Sequence, residues 1–433
     1  MKNHQLSIDR YEAYKDSGVE WLGDVPEHWE LNRHKDNFVF VNKRCNDSKL
    51  FKVGLENIES KTGQFLSTES EFDGDGIEFR ENDILLGKLR PYLAKVYLAQ
   101  FNGNAIGDIF VYRTKLNTQS KFAYYLMLSS RYIDVMNSST VGAKMPRVSS
   151  DFIANLIVAT PSLSEQKLIA HYLDTKTAQI DRKIDLLTQK ATLYGDLKRS
   201  LINETVTRGL DKSVAMKNSG IEWLGEVPDH WGIYHLKSCV RVKITDGPHE
   251  TPAFTDFGVP FISAEAIQNG SINFNSKRGY ISEQTDKVYA LKCKPKKEDI
   301  FVVKSGSTTG KIGYVSTDIS FNIWSPLALI RANKVNYSRY LYYFLSSSFF
   351  QDQVQMYWSF GTQPNIGMKV LENLQVITPP LIEQKVIADY LDTKTAQIDQ
   401  IIQTINTQIE KLKELRKTLI NDVVTGKIKI MDN

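Results

Sequence analysis

Two stretches of the chain carry the same long-range pattern of apolar positions. In the first, Ile180, Ile184, Leu187, Ala191, Tyr194 and Leu201 follow the alternating 4,3 spacing of a heptad seam, with one beat missing at Lys198. In the second, Ile398, Ile402, Ile405, Ile409, Leu412 and Leu419 repeat that spacing, and Arg416 stands where Lys198 stood. The spacing predicts two long helices, each needing a partner helix along its seam. Pro161 and Ser164 mark the start of the first and Gly209 its stop. Such a helix, at about 1.5 Å per residue, is a rod of roughly 60 Å. Elsewhere the apolar runs are short and β-rich: Phe38 to Val41, Asp83 to Leu86, Lys95 to Leu98, Ile109 to Tyr112, Ile300 to Val303 and Ile312 to Val315. Phe122 to Leu128 and Tyr340 to Leu345 read as short apolar helices. An α+β chain is expected, its mixed α/β domains joined by long helices.

The chain is one unit written twice. Residues 15–30, KDSGVEWLGDVPEHWE, match residues 217–232, KNSGIEWLGEVPDHWG, at eleven of sixteen positions, and YLDTKTAQID at 172–181 recurs letter for letter at 390–399. Between these shared ends, residues 31–160 and 232–378 have diverged. Either the interiors drifted while the ends held the fold, or the interiors contact different things and the ends the same thing. Only Leu210 to Met216 separates the first rod from the second repeat. The rods are therefore expected to run antiparallel about a pseudo-twofold axis, with domains at 1–160 and 211–378 and spacer helices at 161–210 and 379–433.

Composition narrows the class. Of 433 residues, 42% are hydrophobic and 24% charged, which excludes a disordered chain. No run reaches the roughly 18 apolar residues of a membrane span and the first residues lack a signal-peptide core, so a soluble, cytoplasmic protein is expected. Cys45, Cys239 and Cys293 lie far apart without metal-ligand spacing, so neither a disulfide framework nor a metal site is expected. The net charge of +4 hides its own distribution. The interiors carry 17 basic against 14 acidic groups and 16 against 11, leaving the framework at −4. In the first interior seven acids cluster from Glu69 to Asp83, a stretch that cannot face a polyanion. The rest of that interior would present a surface attractive to phosphates, unless its charge is ordinary solvated surface.

Some basic positions recur. Asp83-Ile-Leu-Leu-Gly-Lys88 matches Asp299-Ile-Phe-Val-Val-Lys304, and Lys95-Val matches Lys311-Ile. Arg90 and Thr308 with Thr309 fall in the intervening loops. A second loop places Lys144 and Arg147 opposite Gln363 and Asn365. Basic, hydroxyl and amide side chains there suit contacts to phosphates and base edges, and different polar readers at one framework position suit different base sequences. An ordinary polar turn is the competing reading for any one of them. No catalytic residue emerges: GxGxxG and the tetrapeptides of adenine methyltransferases are absent, and Gly306 to Ile312 departs from a P-loop in spacing and in its last residue. His28 and His230, beside Trp29 and Trp231 in the repeated PxHW element, suit packing.

With SGxEWLGxxPxHW heading each half, the GKLRPYLAK strand, and PSLSEQKLIAHYLD and PPLIEQKVIADYLD opening each long helix, the sequence resembles the specificity subunit of type I restriction-modification systems. The resemblance covers nearly the whole chain. It implies that each interior is a target recognition domain reading half of a split double-stranded DNA site, and that the helices space the domains and dock two modification (methyltransferase) subunits. It also implies association with restriction/translocase subunits. S-adenosylmethionine, ATP and Mg are then expected in those partners, with no cofactor in this chain and no catalytic residue. A non-DNA scaffold built on paired helices, or the recognition portion of an enzyme dedicated to cleavage, are the alternatives.

Overall fold

The structure, a computed structural model, describes residues 6–47, 49–68, 72, 74–142, 144–221, 224–360 and 363–432. It divides into two compact units, Met1–Thr188 with Asn406–Asn433, and Gln189–Ile405. Each unit thus owns the start of one long helix and the end of the other. The first long helix is Leu163–Arg208 and the second Leu381–Val424. The backbone N–H of Glu165 donates to Ser162 Oγ at 3.3 Å, so Ser162, not Ser164, caps the first helix. Gly209 ends it with φ +71°.

In the first unit, Val96–Leu98, Ile84–Gly87, Ile109–Thr114 and Phe38–Val41 pair in that order as an antiparallel sheet. A second sheet runs Arg44–Cys45, Gly76–Phe79, Gly103–Ala105, Phe51–Val53, with the last two strands parallel. The second unit repeats the first sheet as Ile312–Tyr314, Ile300–Val303, Leu327–Ile330 and Thr245–Asp246. Its other sheet differs: Val259–Ile262 lies between Gly279–Ile281 and Asn322–Ile323, whereas in the first unit Gly103–Ala105 has the strand on either side. The interiors have diverged in strand order as well as in sequence.

What tolerates that divergence is a short ladder at the neck of each unit. Glu30–Arg33 pairs with Ile157–Thr160, and Gly232–His235 with Gln375–Thr378, in equivalent register. Each interior leaves one strand of this ladder and returns on the other, so its contents can change without moving the frame.

The repeated PxHW element performs one job in both units. Trp29 is fully buried, and its Nε1 donates to Glu165 Oε1 at 3.1 Å while His28 Nε2 lies 3.0 Å from Oε2. Trp231 and His230 hold Glu383 at 3.1 and 2.8 Å. Each tryptophan therefore grips the start of one long helix. It also meets the end of the other: a Cβ on Gly426 would lie 3.4 Å from Trp29, and one on Gly209 would lie 3.1 Å from Trp231. The second residue of the repeated Glu-Gln pair, buried Gln166 or Gln384, accepts a hydrogen bond from the backbone leading into a short helix, from Gln119 N at 2.7 Å and Tyr337 N at 2.6 Å. His28 and His230, expected to pack, are 56% and 43% exposed, and their role here is as hydrogen-bond partners of the helix-start glutamates.

The seam positions of both helices are shielded while most of their neighbours are exposed. In the first unit Ile169, Ala170 and Leu173 share a core with Ile420, Val423 and Val424, while further along Asp181 meets Arg416 at 2.9 Å. Numbering falls on one helix as it rises on the other, so they pack antiparallel. The second unit is alike, with Val206 beside Ile387, Ala388 and Leu391, and Lys198 2.7 Å from Asp399. The missing heptad beat is thus a cross-helix ion pair, made once by each helix. Among the described residues no helix is long and apolar enough to cross a membrane.

Candidate nucleic-acid interface

The central strand of each main sheet begins with a buried ion pair. Asp83 accepts Arg113 Nε and Nη2 at 2.7 and 2.6 Å, and Asp299 accepts Arg331 at the same two distances. Both carboxylates are 1% exposed, so these pairs fix the strand's register rather than meeting solvent. Four apolar residues later the strand ends in the loop that the sequence singled out, and the anchored strand holds that loop's position.

The structure brings the two predicted loops of each unit together. In the first unit, Leu89 bridges Arg147, Arg90 N donates to Pro146 O at 2.8 Å and Val148 N to Lys88 O at 3.1 Å. In the second, Ser305 bridges Asn365, Gly306 N donates to Pro364 O at 3.1 Å and Ile366 N to Lys304 O at 2.8 Å. Residues some sixty apart in sequence thus form one polar edge per unit. Gly306 to Ile312 runs from loop into the strand Ile312–Tyr314, not into a helix as a phosphate-cradling P-loop would.

Within these edges the singled-out residues divide by what their side chains already do. Lys95 is turned inward, donating to Leu55 O and Ile58 O at 2.6 and 2.9 Å, on the turn that the Ile58 N–H to Leu55 O hydrogen bond closes. Lys304 is 12% exposed and lies 2.9 Å from Asp246. Thr309 Oγ1 donates to Gly306 O and lies within reach of Pro364 O, knitting the two loops. Neither lysine presents a free cation, and Thr309 serves the loops themselves. Arg147 makes a two-pronged pair with Asp108 at 3.1 and 2.9 Å, and Lys88 lies 3.6 Å from the same carboxylate and over the Phe110 ring. The Arg147 hydrogen bonds, with Lys88 nearby, hold the Asp108 carboxyl below its usual range.

Arg90, Lys144, Thr308, Lys311, Gln363 and Asn365 keep their polar groups unengaged by side-chain bonds among the described residues. All but the half-buried Thr308 are exposed. Arg90 adopts φ +50°, a left-handed conformation that turns the chain just ahead of Pro91–Leu93. The edges therefore differ in chemistry: guanidinium and ammonium in the first unit, amide, hydroxyl and ammonium in the second. Of the acidic cluster, Asp83 is consumed by Arg113 and Glu78 pairs with Lys43 at 2.5 Å, while Glu69, Glu71 and Asp73 lie outside the described residues, as do Ala143, Gly361 and Thr362 of the second loops.

Sequence reasoning missed Asp108, Arg113 and Arg331. The two arginines follow their aspartates at nearly the same spacing in both repeats, a signal that was available. It also passed over Lys292, Lys294 and Lys296, counted only as charge, which line a cavity of about 770 Å³ in the second unit. No group of His, Cys, Asp or Glu among the described residues could hold a metal. All three cysteines are free, and burial pushes the Cys239 and Cys293 thiols up to about 12.

Residues 26–191 and 228–411 match the family model described as the type I restriction modification DNA specificity domain. Curated relatives include the type I restriction enzyme MjaVIII specificity subunit of Methanocaldococcus jannaschii, 25% identical over 94% of each chain. Another is the EcoBI specificity subunit of Escherichia coli, 23% identical over 87% of this chain and 86% of that one. Two solved structures share the fold at 18% identity. One comes from work on complex assembly and conformational transition of the type I R-M system, with a TM-score of 0.74 over 92% of this chain and 98% of that one. The other is the HsdS subunit from Thermoanaerobacter tengcongensis, at 0.53 over 93% and 98%.

Proposed function

The chain belongs to the type I restriction-modification DNA specificity family, and we propose that it reads a split duplex site with one polar loop edge per unit while its repeated framework docks two modification subunits. As a specificity subunit its task is target recognition. The observation that carries the two-part reading is the convergence, in each unit, of two loops far apart in sequence onto the end of an anchored strand, with different polar side chains at the corresponding positions. Arg and Lys suit phosphate oxygens and guanine edges, while Gln and Asn suit adenine edges, so unlike edges would read unlike half-sites.

Docking of modification subunits, and of restriction/translocase subunits through them, is supported by the repetition itself. Two copies of one frame offer two equivalent surfaces, which suits two identical partners on one asymmetric DNA reader. Methyl transfer with S-adenosylmethionine, and ATP- and Mg-dependent steps, would then lie in those partners and not in this chain. The test is to express the chain with its modification subunits and map methylated adenines by single-molecule sequencing. One bipartite motif is expected; the absence of any sequence-dependent methylation would refute the reading.

A further inference from the structure

We propose that the lysine-lined cavity of the second unit is a binding site for the phosphates of a nucleic-acid strand, set beside the base-reading loops. The proposal rests on the DNA-reading function above and names where in this unit the backbone would be held.

The cavity, about 770 Å³, lies between the edge strand Thr245–Asp246, the segment after the helix Glu283–Ala290, and the start of the short helix Met368–Asn373. Its charge does not balance. Of its lining cations, Lys292 is taken by Asp246 at 2.6 Å, Lys294 by Asp286 at 2.7 Å and Arg331 by Asp299. Asp246 already holds Lys304 as well. Lys243, Lys296 and Lys369 remain, all exposed at its rim and without an ion pair among the described residues. Glu372 is the one lining carboxylate not already engaged. Six cations and two carboxylates line the hollow; with the ion-pair partners Asp286, Asp299 and Lys304 added, seven cations stand against four carboxylates, an excess of three positive charges. Like charges so placed repel one another unless an anion shares the space, and a chain of phosphodiesters brings one negative charge per nucleotide.

Location supports a strand over a small anion. Lys304 begins the reading loop, and its ion pair with Asp246, a residue of the cavity wall, puts the hollow directly beside the loop edge. A strand whose bases meet Gln363 and Asn365 would carry its backbone past the cavity mouth. Among the described residues the first unit lacks the segment that builds this wall. In the first unit only Arg80 to Asn82 separate the strand Gly76–Phe79 from Asp83, while here a helix and the lysine-rich turn intervene before Asp299. The hollow beside Arg113 has Lys115 as its other cation, and that ammonium donates to Lys35 O at 2.8 Å.

The test uses the full chain with its modification subunits and fluorescence anisotropy on a duplex carrying the methylated motif and on a scrambled duplex, across a salt series. Replacing Lys243, Lys296 and Lys369 with glutamine should lower affinity for both duplexes by the same factor, about fivefold or more. It should also reduce the slope of log K against log salt by about 1 to 3, with the methylated sequence unchanged. The triple arginine variant should keep the slope, which separates lost charge from lost fold. An unchanged affinity and slope in the glutamine variant overturns the proposal. So does tight binding of pyrophosphate to the wild type that the glutamine variant loses while its DNA slope is intact, since the cavity would then serve a free anion. Failure of the wild type to bind any duplex would instead overturn the DNA-reading function, and the cavity's role with it.

Discussion

At the scale of single residues, the loop edges separate positioning from reading. Arg90 carries an exposed guanidinium on a strained turn fixed by Pro146, so its charge is presented from a rigid base. Arg90→Ala should weaken duplex binding, by about 1–3 kcal/mol if it holds a base edge and with a loss of about one in salt slope if it holds a phosphate; anisotropy titrations decide between them. Gln363→Ala should relax sequence preference in one half-site and leave the salt slope alone, which methylation mapping with the titration would check. A different residue reports on stability. His34 is 1% exposed, stacked on Phe38 at 4.2 Å, and burial pushes its imidazole down to about 3 from an ordinary value near 6.5. The fold holds it neutral, so its contribution is complete above pH 6.5 and is lost as pH falls below that, at up to about 1.4 kcal/mol per pH unit. The second repeat has Leu236 at this place, with the same backbone bond to the returning strand, Leu236 N to Leu374 O at 2.8 Å against His34 N to Leu156 O at 2.7 Å. His34→Leu should therefore flatten the acid limb of a denaturation series between pH 6.5 and 4. An unchanged limb would show that acid sensitivity arises elsewhere.

At the scale of elements, the long helices were legible because a heptad stripe needs no tertiary information, and three of their four ends fell within two residues of the expected ones; the second helix stops at Val424 rather than running to 433, because Gly426 at φ +75° turns the chain into the strand Lys429–Asp432. The break in the stripe was equally visible at Lys198 and Arg416, but its meaning was not. An ion pair to the other helix depends on which residues lie opposite, and that follows from the antiparallel packing. The two pairs are not equivalent in surroundings. Arg416 and Asp181 have side chains 11% and 24% exposed, whereas Lys198 and Asp399 stand at 32% and 56%. Asp181→Asn leaves a largely buried guanidinium without its counter-charge and should cost roughly 3 kcal/mol. Asp399→Asn breaks an exposed pair and should cost under about 1 kcal/mol. Urea titrations showing equal losses would contradict this account of the seam. Strand existence in the main sheets was readable from short apolar runs. The strand order of the second sheets was not, because runs as short as Gly103–Ala105 or Asn322–Ile323 carry no periodicity to read.

At the scale of the whole molecule, the repeat explains itself by what it holds. The shared segments are those that grip helix starts and ends through Trp29 and Trp231, close the neck ladders and line the seam, so their sequence is constrained twice over. The interiors hang from the neck ladders and are free to differ, which they do in loop chemistry, in strand order and in the lysine cavity of the second unit. The net charge follows that division, with the positive excess confined to the interiors. A chain built this way should exchange one interior without disturbing the other. The most direct measurement is therefore to replace residues 31–160 with the corresponding interior of another family member, assemble the chimera with its modification subunits, and map the methylated adenines by single-molecule sequencing. The account predicts that one half of the bipartite motif changes and the other half is retained. Alteration of both halves, or of neither, would contradict it.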